Sequence, residues 1–422
     1  MRLAFCLALL LACSLQLNAQ KNSIYYITAE RVFDGENMHS GWAVIVENDK
    51  IRAVGPASEL KVPAGAIKMS SPDATLLPGL IEGHSHIFLY PYNITDWDIQ
   101  VLKESDAYRT ARATVHLKTS LLAGFTTLRD LGTEGAGYSD VALKRAVNEG
   151  LIPGPRLLVA GRAIVATGAY GPMGYDNDSK IMLGAQEADG DNLVRVTREQ
   201  MGNGTDLVKV YADYHWGPNK EDLPTFSLEE LKLVRETANS GGRPLVVHAA
   251  TKEGMRRSIL AGAETVEHGD ELDDEIAAMM KAGHVTLFPT LAASESVAQY
   301  SGWIKGKSPE PAGITQKKKS FQVALANGVN IGMGGDVGVY AHGNNVLEME
   351  LMVEYGMKPI DVLRSATSIN ARTFHLDTIC GSIKPGLKAD LVLVTGNPAT
   401  QISDCRKVKW VMKDGVVYNE TL

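Results

Sequence analysis

The chain has 422 residues, of which 45% are hydrophobic and 22% charged, with a formal net charge of -7. That composition excludes a disordered or fibrous chain and suffices for a large buried core. The longest basic run is Lys317-Lys318-Lys319, too short for a nucleic-acid footprint, so no nucleic-acid partner is expected.

At the N-terminus Arg2 precedes an apolar run over residues 3–15 that ends near Leu17-Asn18-Ala19. The run is too short to span a bilayer and reads as a signal peptide over residues 1–19, cut after Ala19. Export to a periplasmic or extracellular space, with no transmembrane anchor, is therefore expected. The lesser alternative is a lipoprotein signal, Leu10-Leu11-Ala12-Cys13, with Cys13 lipidated. Either cleavage at Ala19 or export frames the cysteines: Cys6 and Cys13 fall in the leader, and Cys380 and Cys405 remain as one disulfide or two buried thiols. Any metal must then be held by His and acids. Sequons stand at Asn93, Asn177, Asn203 and Asn419, which matter only in a eukaryotic secretory pathway.

Residues 24–54 alternate apolar and polar side chains, with turn signals at Asp34-Gly35 and Glu47-Asn48-Asp49, and residues 390–418 do the same. The two ends are expected to meet in one small β-sandwich, built from residues 20–74 and 371–422, because chain termini often lie close together. Between them, over 75–370, β-rich runs alternate with helical patterns. The strands are predicted at 75–87, 125–131, 155–164, 206–211, 244–248, 265–268, 285–289 and 329–334, and helices at 102–123, 186–201, 227–240, 273–282 and 315–326. Eight βα repeats give an α/β class chain with a (β/α)8 TIM barrel. Ser227 followed by Glu230 forms a capping box at one helix start.

In such a barrel the active site gathers at the C-terminal ends of the strands. His84 and His86, at i and i+2 of strand one, share a face. Strand four carries Lys209, strands five and six end in His248 and His268, and strand eight runs into Asp336. Six such residues at one mouth point to a metal site. Tyr211, two residues beyond Lys209, should face the same cavity nearer its opening. With Tyr170 and Tyr214 in neighbouring loops it supplies phenolic donors for a substrate carboxylate, to which Arg243 or Arg162 could add charge. His342 lies close enough to Asp336 in sequence to line the site.

The segments that carry these residues are Leu77-Pro78-Gly79-Leu80-Ile81-Glu82-Gly83-His84-Ser85-His86, Gly124-Phe125-Thr126-Thr127-Leu128-Arg129-Asp130 and Glu267-His268-Gly269. A further run, Gly381-Ser382-Ile383-Lys384-Pro385-Gly386-Leu387-Lys388-Ala389-Asp390-Leu391, accompanies them. Together they resemble the amidohydrolase superfamily, in its imidazolonepropionase-like branch with metal-dependent, prolidase-like dipeptidases. The resemblance spans essentially the whole mature chain. It implies two divalent ions, usually Zn2+, with His84, His86 and Asp336 on one and His248 and His268 on the other. Lys209 would bridge them as a carbamate formed with carbon dioxide, because an ammonium cannot ligate a metal. His215, His284, His342 and His375 match no ligand position. Two departures stand out: Thr167-Gly168-Ala169-Tyr170-Gly171 where many relatives have a His, and Gly334-Gly335-Asp336 where Gly-Thr-Asp is common.

The implied chemistry is attack by a metal-bridging hydroxide, with the oxyanion stabilised by metal and Asp336 acting as general base and then acid. The expected function is an exported hydrolase of a C–N amide bond in a dipeptide (Xaa-Pro-like) or N-acyl amino acid. Opening of a cyclic amide such as an imidazolone, or of a lactone, is the alternative within the class. A metal-binding protein without turnover is the alternative outside it, and the complete ligand set argues against it. The partner is a small-molecule or dipeptide substrate; a homo-oligomer is allowed.

Overall fold

The computed structural model describes residues 23–418 except 173, 177, 179, 180 and 182. The signal peptide, Cys6, Cys13 and the sequon residues Asn177 and Asn419 lie outside the described residues. Among the described residues, no helix is long and apolar enough to cross a membrane.

Both chain ends enter one eight-stranded sheet. Its path runs Val416–Tyr418, Val408–Lys413, Leu391–Thr395, Ile67–Pro78, Ile24–Phe33, Trp42–Glu47 and Lys50–Pro56, with Met38–Ser40 paired to Ile24–Phe33. The alternation legible in the sequence sets which residues turn inward. Ile27 and Ala29, Val44 and Val46, and Leu391 and Leu393 pack with Leu76, Trp410 and Met412 into a core separate from the larger one. The tight turn after Lys413 uses Asp414 and Gly415, both with positive φ (48° and 77°), as a two-residue hairpin requires.

Pairing corrects the expected start of strand one. Ile67–Pro78 runs parallel to Ile24–Phe33 and antiparallel to Leu391–Thr395, so residues 75–78 belong to the end sheet and the next strand is Leu80–Ser85. The interruption is Gly79, where a Cβ would come within 2.0 Å of Thr126 Oγ1.

The remaining long strands are parallel. Leu80–Ser85, Phe125–Asp130 and Arg156–Val159 form a three-stranded sheet. Six more strands follow in the order Gln186–Glu187, Ile164–Val165, Val208–Tyr211, Leu245–Ala249, Thr265–His268 and Thr286–Phe288. On one flank Asp206 N donates to Val159 O (2.8 Å), and on the other Leu287 bridges Ile331 while Gly83 N donates to Met333 O (3.0 Å). Helices follow the strands, several with side-chain caps: Ser227 and Glu230 make the full capping box, and Thr251 and Asp273 accept from Gly254 N and Ile276 N. The predicted helix at 186–201 begins later, at Asn192. The alternating arrangement is a TIM-barrel-like α/β fold.

Phe288 fills the space between the parallel strands. A Cβ at Gly83, Gly332 or Gly334 would fall 2.2, 2.3 or 2.8 Å from its ring, so these three glycines let the ring in. The Arg129 guanidinium lies against both Phe288 (4.5 Å) and Phe374 (4.4 Å), whose rings stack on each other, and Asn370 Nδ2 donates to Ile81 O and Met333 O. Arg156 reaches from its strand to Asp390 (2.6 Å) and Asp414 (2.8 Å), tying the parallel strands to the end sheet. Cys380 and Cys405 are free, buried thiols, which removes the disulfide from the two sequence readings.

Candidate active site

The C-terminal ends of the parallel strands open into a cavity lined by His84, His86, Leu89, Tyr92, Glu134, Tyr170, Tyr211, Tyr214, His215, His248, His268, Asp336 and Val339. Residues from strands far apart in sequence meet because parallel strands all point their C-terminal ends the same way. Ligand atoms of His84, His86 and Asp336 lie within 4.8 Å of one another, so this group could bind a metal ion. Asp336 Oδ1 is 3.6 Å from His84 Nε2 and 3.4 Å from His86 Nε2. The ring of His268 stands 5.2 Å from His84 and 4.3 Å from His248.

What holds each imidazole explains which nitrogen is left for the cavity. His84 Nδ1 bonds Glu267 Oε2 (2.8 Å), whose Oε1 is in turn held by Arg129 (2.8 Å). His86 Nδ1 bonds Gly132 O (2.9 Å), and His268 Nδ1 bonds Thr290 Oγ1 (2.8 Å). In each case Nε2 remains for a metal, the arrangement by which outer partners fix ring orientation and tautomer. Burial, reinforced by the Lys209 charge, pushes His84 and His248 well below the ordinary imidazole range, and burial does the same to His268. The neutral ring is the form that ligates.

Lys209 is 1% exposed and its Nζ has no hydrogen-bond partner among the described residues. Burial lowers its pKa from 10.5 to about 8. Asp336 Oδ1 is likewise buried and unpartnered, and burial raises its pKa against the pull of His86 and Lys209. Two orphaned polar atoms beside four His rings are costly as they stand. A donor set of imidazoles, one carboxylate and one buried lysine fits a divalent metal.

Four of the nine non-glycine residues with left-handed backbone among the described residues gather here: Glu134 (φ 50°), His268 (78°), Thr290 (51°) and Asp336 (63°). Strain of this kind is retained where surrounding structure over-determines it, often at active sites.

The tyrosines enclose the remaining wall. Tyr170 lies 4.8 Å from Tyr211 and 4.9 Å from Tyr214 between ring centroids. Burial pushes Tyr92, Tyr170, Tyr211 and Tyr214 above the usual phenol range, so each stays a neutral donor. His215 stands at the rim, its proton held by Asp222.

Three expected contacts lie elsewhere. Arg243 donates to Thr205 O (2.7 Å) and Gly241 O (2.8 Å), at the opposite end of its strand from His248, and neither it nor Arg162 lines the cavity. His342 stacks on His116 at 4.2 Å and lines a separate hollow with Tyr90 and Arg112. Glu134, Tyr92 and the orienting residues Glu267 and Thr290 join the site only in the structure. Glu267 directly precedes His268 on its strand, a position the sequence makes visible, whereas Glu134 sits on a loop whose left-handed turn carries no sequence signal.

The sequence profile of the Amidohydrolase family matches residues 75–418, and the chain belongs to that family; it is a hydrolase. Among characterised relatives, ochratoxinase of Aspergillus niger is 28% identical over 426 residues, covering 91% of this chain and 84% of that protein. Its crystal structure superposes with a TM-score of 0.80 at 25% identity, covering 94% of this chain and 96% of that one. A Xaa-Pro dipeptidase crystallised with methionine in its active site gives a TM-score of 0.85 at 30% identity, covering 94% of this chain and all of that one.

Proposed function

We propose that this chain is an exported, binuclear-metal amidohydrolase that cleaves the C–N bond of a dipeptide of the Xaa-Pro kind or of an N-acyl amino acid. The observation that carries the reading is the unpartnered, buried Lys209 Nζ among His84, His86, His248, His268 and Asp336. The likeness to a Xaa-Pro dipeptidase with bound methionine supports the substrate class. In this reading the parallel strands close as an eight-stranded (β/α)8 barrel, the end sheet coils into a β-sandwich, and residues 1–19 are a signal peptide.

His84, His86 and Asp336 would hold one divalent ion, His248 and His268 the other, and Lys209, as its carbamate, would bridge them. Such ions, when bound, polarise a carbonyl and bring the pKa of water toward neutrality. The protein's own residues do the rest. Glu267, Gly132 and Thr290 fix the three imidazoles. Asp336 takes the proton from the attacking water on a carboxylate oxygen and returns it to the leaving nitrogen, as general base and then acid. Tyr211 and Tyr214 offer neutral hydroxyls to the substrate carboxylate, and Leu89 and Val339 supply the apolar wall that excludes water.

The test is hydrolysis of a dipeptide and N-acyl amino acid panel by protein reconstituted with zinc and bicarbonate. Activity abolished by chelation and restored by metal supports the proposal. Two bound metal equivalents without turnover on amides, cyclic amides, esters or lactones would instead indicate a binding protein.

A further inference from the structure

Glu134 follows the strand Phe125–Asp130 and is 2% exposed. Its Oε2 accepts hydrogen bonds from Tyr170 Oη (2.6 Å) and Trp97 Nε1 (3.0 Å), which fix the carboxylate plane. Oε1 has no hydrogen-bond partner among the described residues. The nearest ring nitrogen, His86 Nδ1, is 3.7 Å away and already bonded to Gly132 O at 2.9 Å. The buried Arg109 guanidinium uses its donors on main-chain oxygens of Glu134 (2.7 Å) and Thr133 (3.1 Å), not on the carboxylate. A carboxylate oxygen desolvated and left open in this way is stabilised by whatever cation reaches it.

The cavity supplies the rest of a cation site. Tyr170, whose hydroxyl is bonded to Glu134, stands 4.9 Å from Tyr214 between ring centroids, and an aromatic ring face attracts an ammonium. Apart from Lys209, whose Nζ lies 5.4 Å over the Tyr211 ring, no Arg or Lys among the described residues is placed at the cavity. Position adds a constraint: an α-ammonium is separated from the scissile carbonyl by a single carbon, so its counter-ion must stand beside the metal ligands, and Glu134 Oε1 is 3.7 Å from His86.

We propose that Glu134 is a substrate-specificity residue, binding the free α-ammonium of the substrate on Oε1 beside the Tyr170 ring. The site then takes a dipeptide with an unblocked N-terminus in preference to an N-acyl amino acid. This narrows the substrate class of the function proposed above and rests on that reading.

The test compares ligands that differ only in the ammonium, using the full mature chain reconstituted with zinc and bicarbonate, and the Glu134→Gln variant, with metal content measured on both. Calorimetric binding of L-phenylalanine and 3-phenylpropanoate gives a readout independent of turnover; kcat/KM for Phe-Pro and 3-phenylpropanoyl-proline gives the kinetic one. The wild type should favour the ammonium-bearing member of each pair by about 10- to 100-fold, the range of a charge-assisted hydrogen bond. Glu134→Gln should erase that preference, leaving metal content and the handling of 3-phenylpropanoate or its proline amide within a few-fold of wild type. No preference in the wild type, or a variant that loses both members equally along with metal, overturns the proposal and makes Glu134 a positioning residue for His86. If neither proline amide is cleaved while the calorimetric preference and its loss in Glu134→Gln both hold, the ammonium site stands and the proposed hydrolysis fails.

Discussion

Asp336 combines three properties that seldom coincide in a carboxylate: burial, an unpartnered oxygen and a left-handed backbone. Each has a cost, and together they suit a group that must be ligand and proton carrier at once. Replacing Asp336 with Asn keeps the shape and removes the basicity, so kcat should fall by about 100-fold or more, the usual contribution of a positioned general base. Steady-state kinetics with a separate binding assay checks this, since binding should change far less. Glu267 acts one step further out, by holding His84 Nδ1. The Glu267→Gln variant should weaken metal binding by about 10- to 100-fold, as loss of an outer partner commonly does; competition with a fluorescent chelator would measure it. Unchanged affinity would mean that the Arg129–Glu267–His84 chain serves packing alone.

At the level of elements, much of the site was legible because a parallel βα pattern fixes where each strand ends. His84, His86, Lys209, His248, His268 and Asp336 could all be assigned to strand ends by periodicity, and the structure gathers five of them around one cavity with Lys209 in their midst. Tyr211 followed from the two-residue period of the same strand. Arg243 precedes the strand that His248 ends, so the structure places it at the opposite end from the cavity, on the carbonyls of Thr205 and Gly241. Glu134 and Thr290 escaped because left-handed backbone at a non-glycine residue is imposed by surrounding structure. The boundary at Gly79 was also hidden: residues 67–85 form a nearly continuous extended run, and only pairing separates it into two sheets. A Gly83→Ala methyl would strike Phe288 at 2.2 Å, and overpacking of this kind costs about 1–3 kcal/mol. A lowered Tm in scanning calorimetry is expected, with some loss of bound metal because His84 is next in the chain.

For the whole molecule, stability should depend on both metal and pH. Ligands that bind only the folded chain raise its apparent stability, so chelation should lower Tm and zinc restore it. The pH dependence has one traceable source in Glu348, a fully buried carboxyl that accepts from Ala292 N (2.7 Å). Burial raises its pKa from 4.5 to about 8. Between those values the unfolded chain has released a proton that the folded chain keeps, so stability falls as pH rises through this window. The Glu348→Gln variant lacks this term, and its Tm relative to wild type should increase from pH 5 to pH 8; an equal difference at both pH values would remove Glu348 as the source.

A metal pair joined through Lys209 is the centre of the proposed chemistry, and metal content per chain, determined by mass spectrometry of protein prepared with zinc and bicarbonate, tests it most directly. Two equivalents are expected in the wild type, with loss of metal and of amide hydrolysis together in Lys209→Ala. A wild type that carries no metal, or a Lys209→Ala variant that retains two equivalents and full activity, would contradict it.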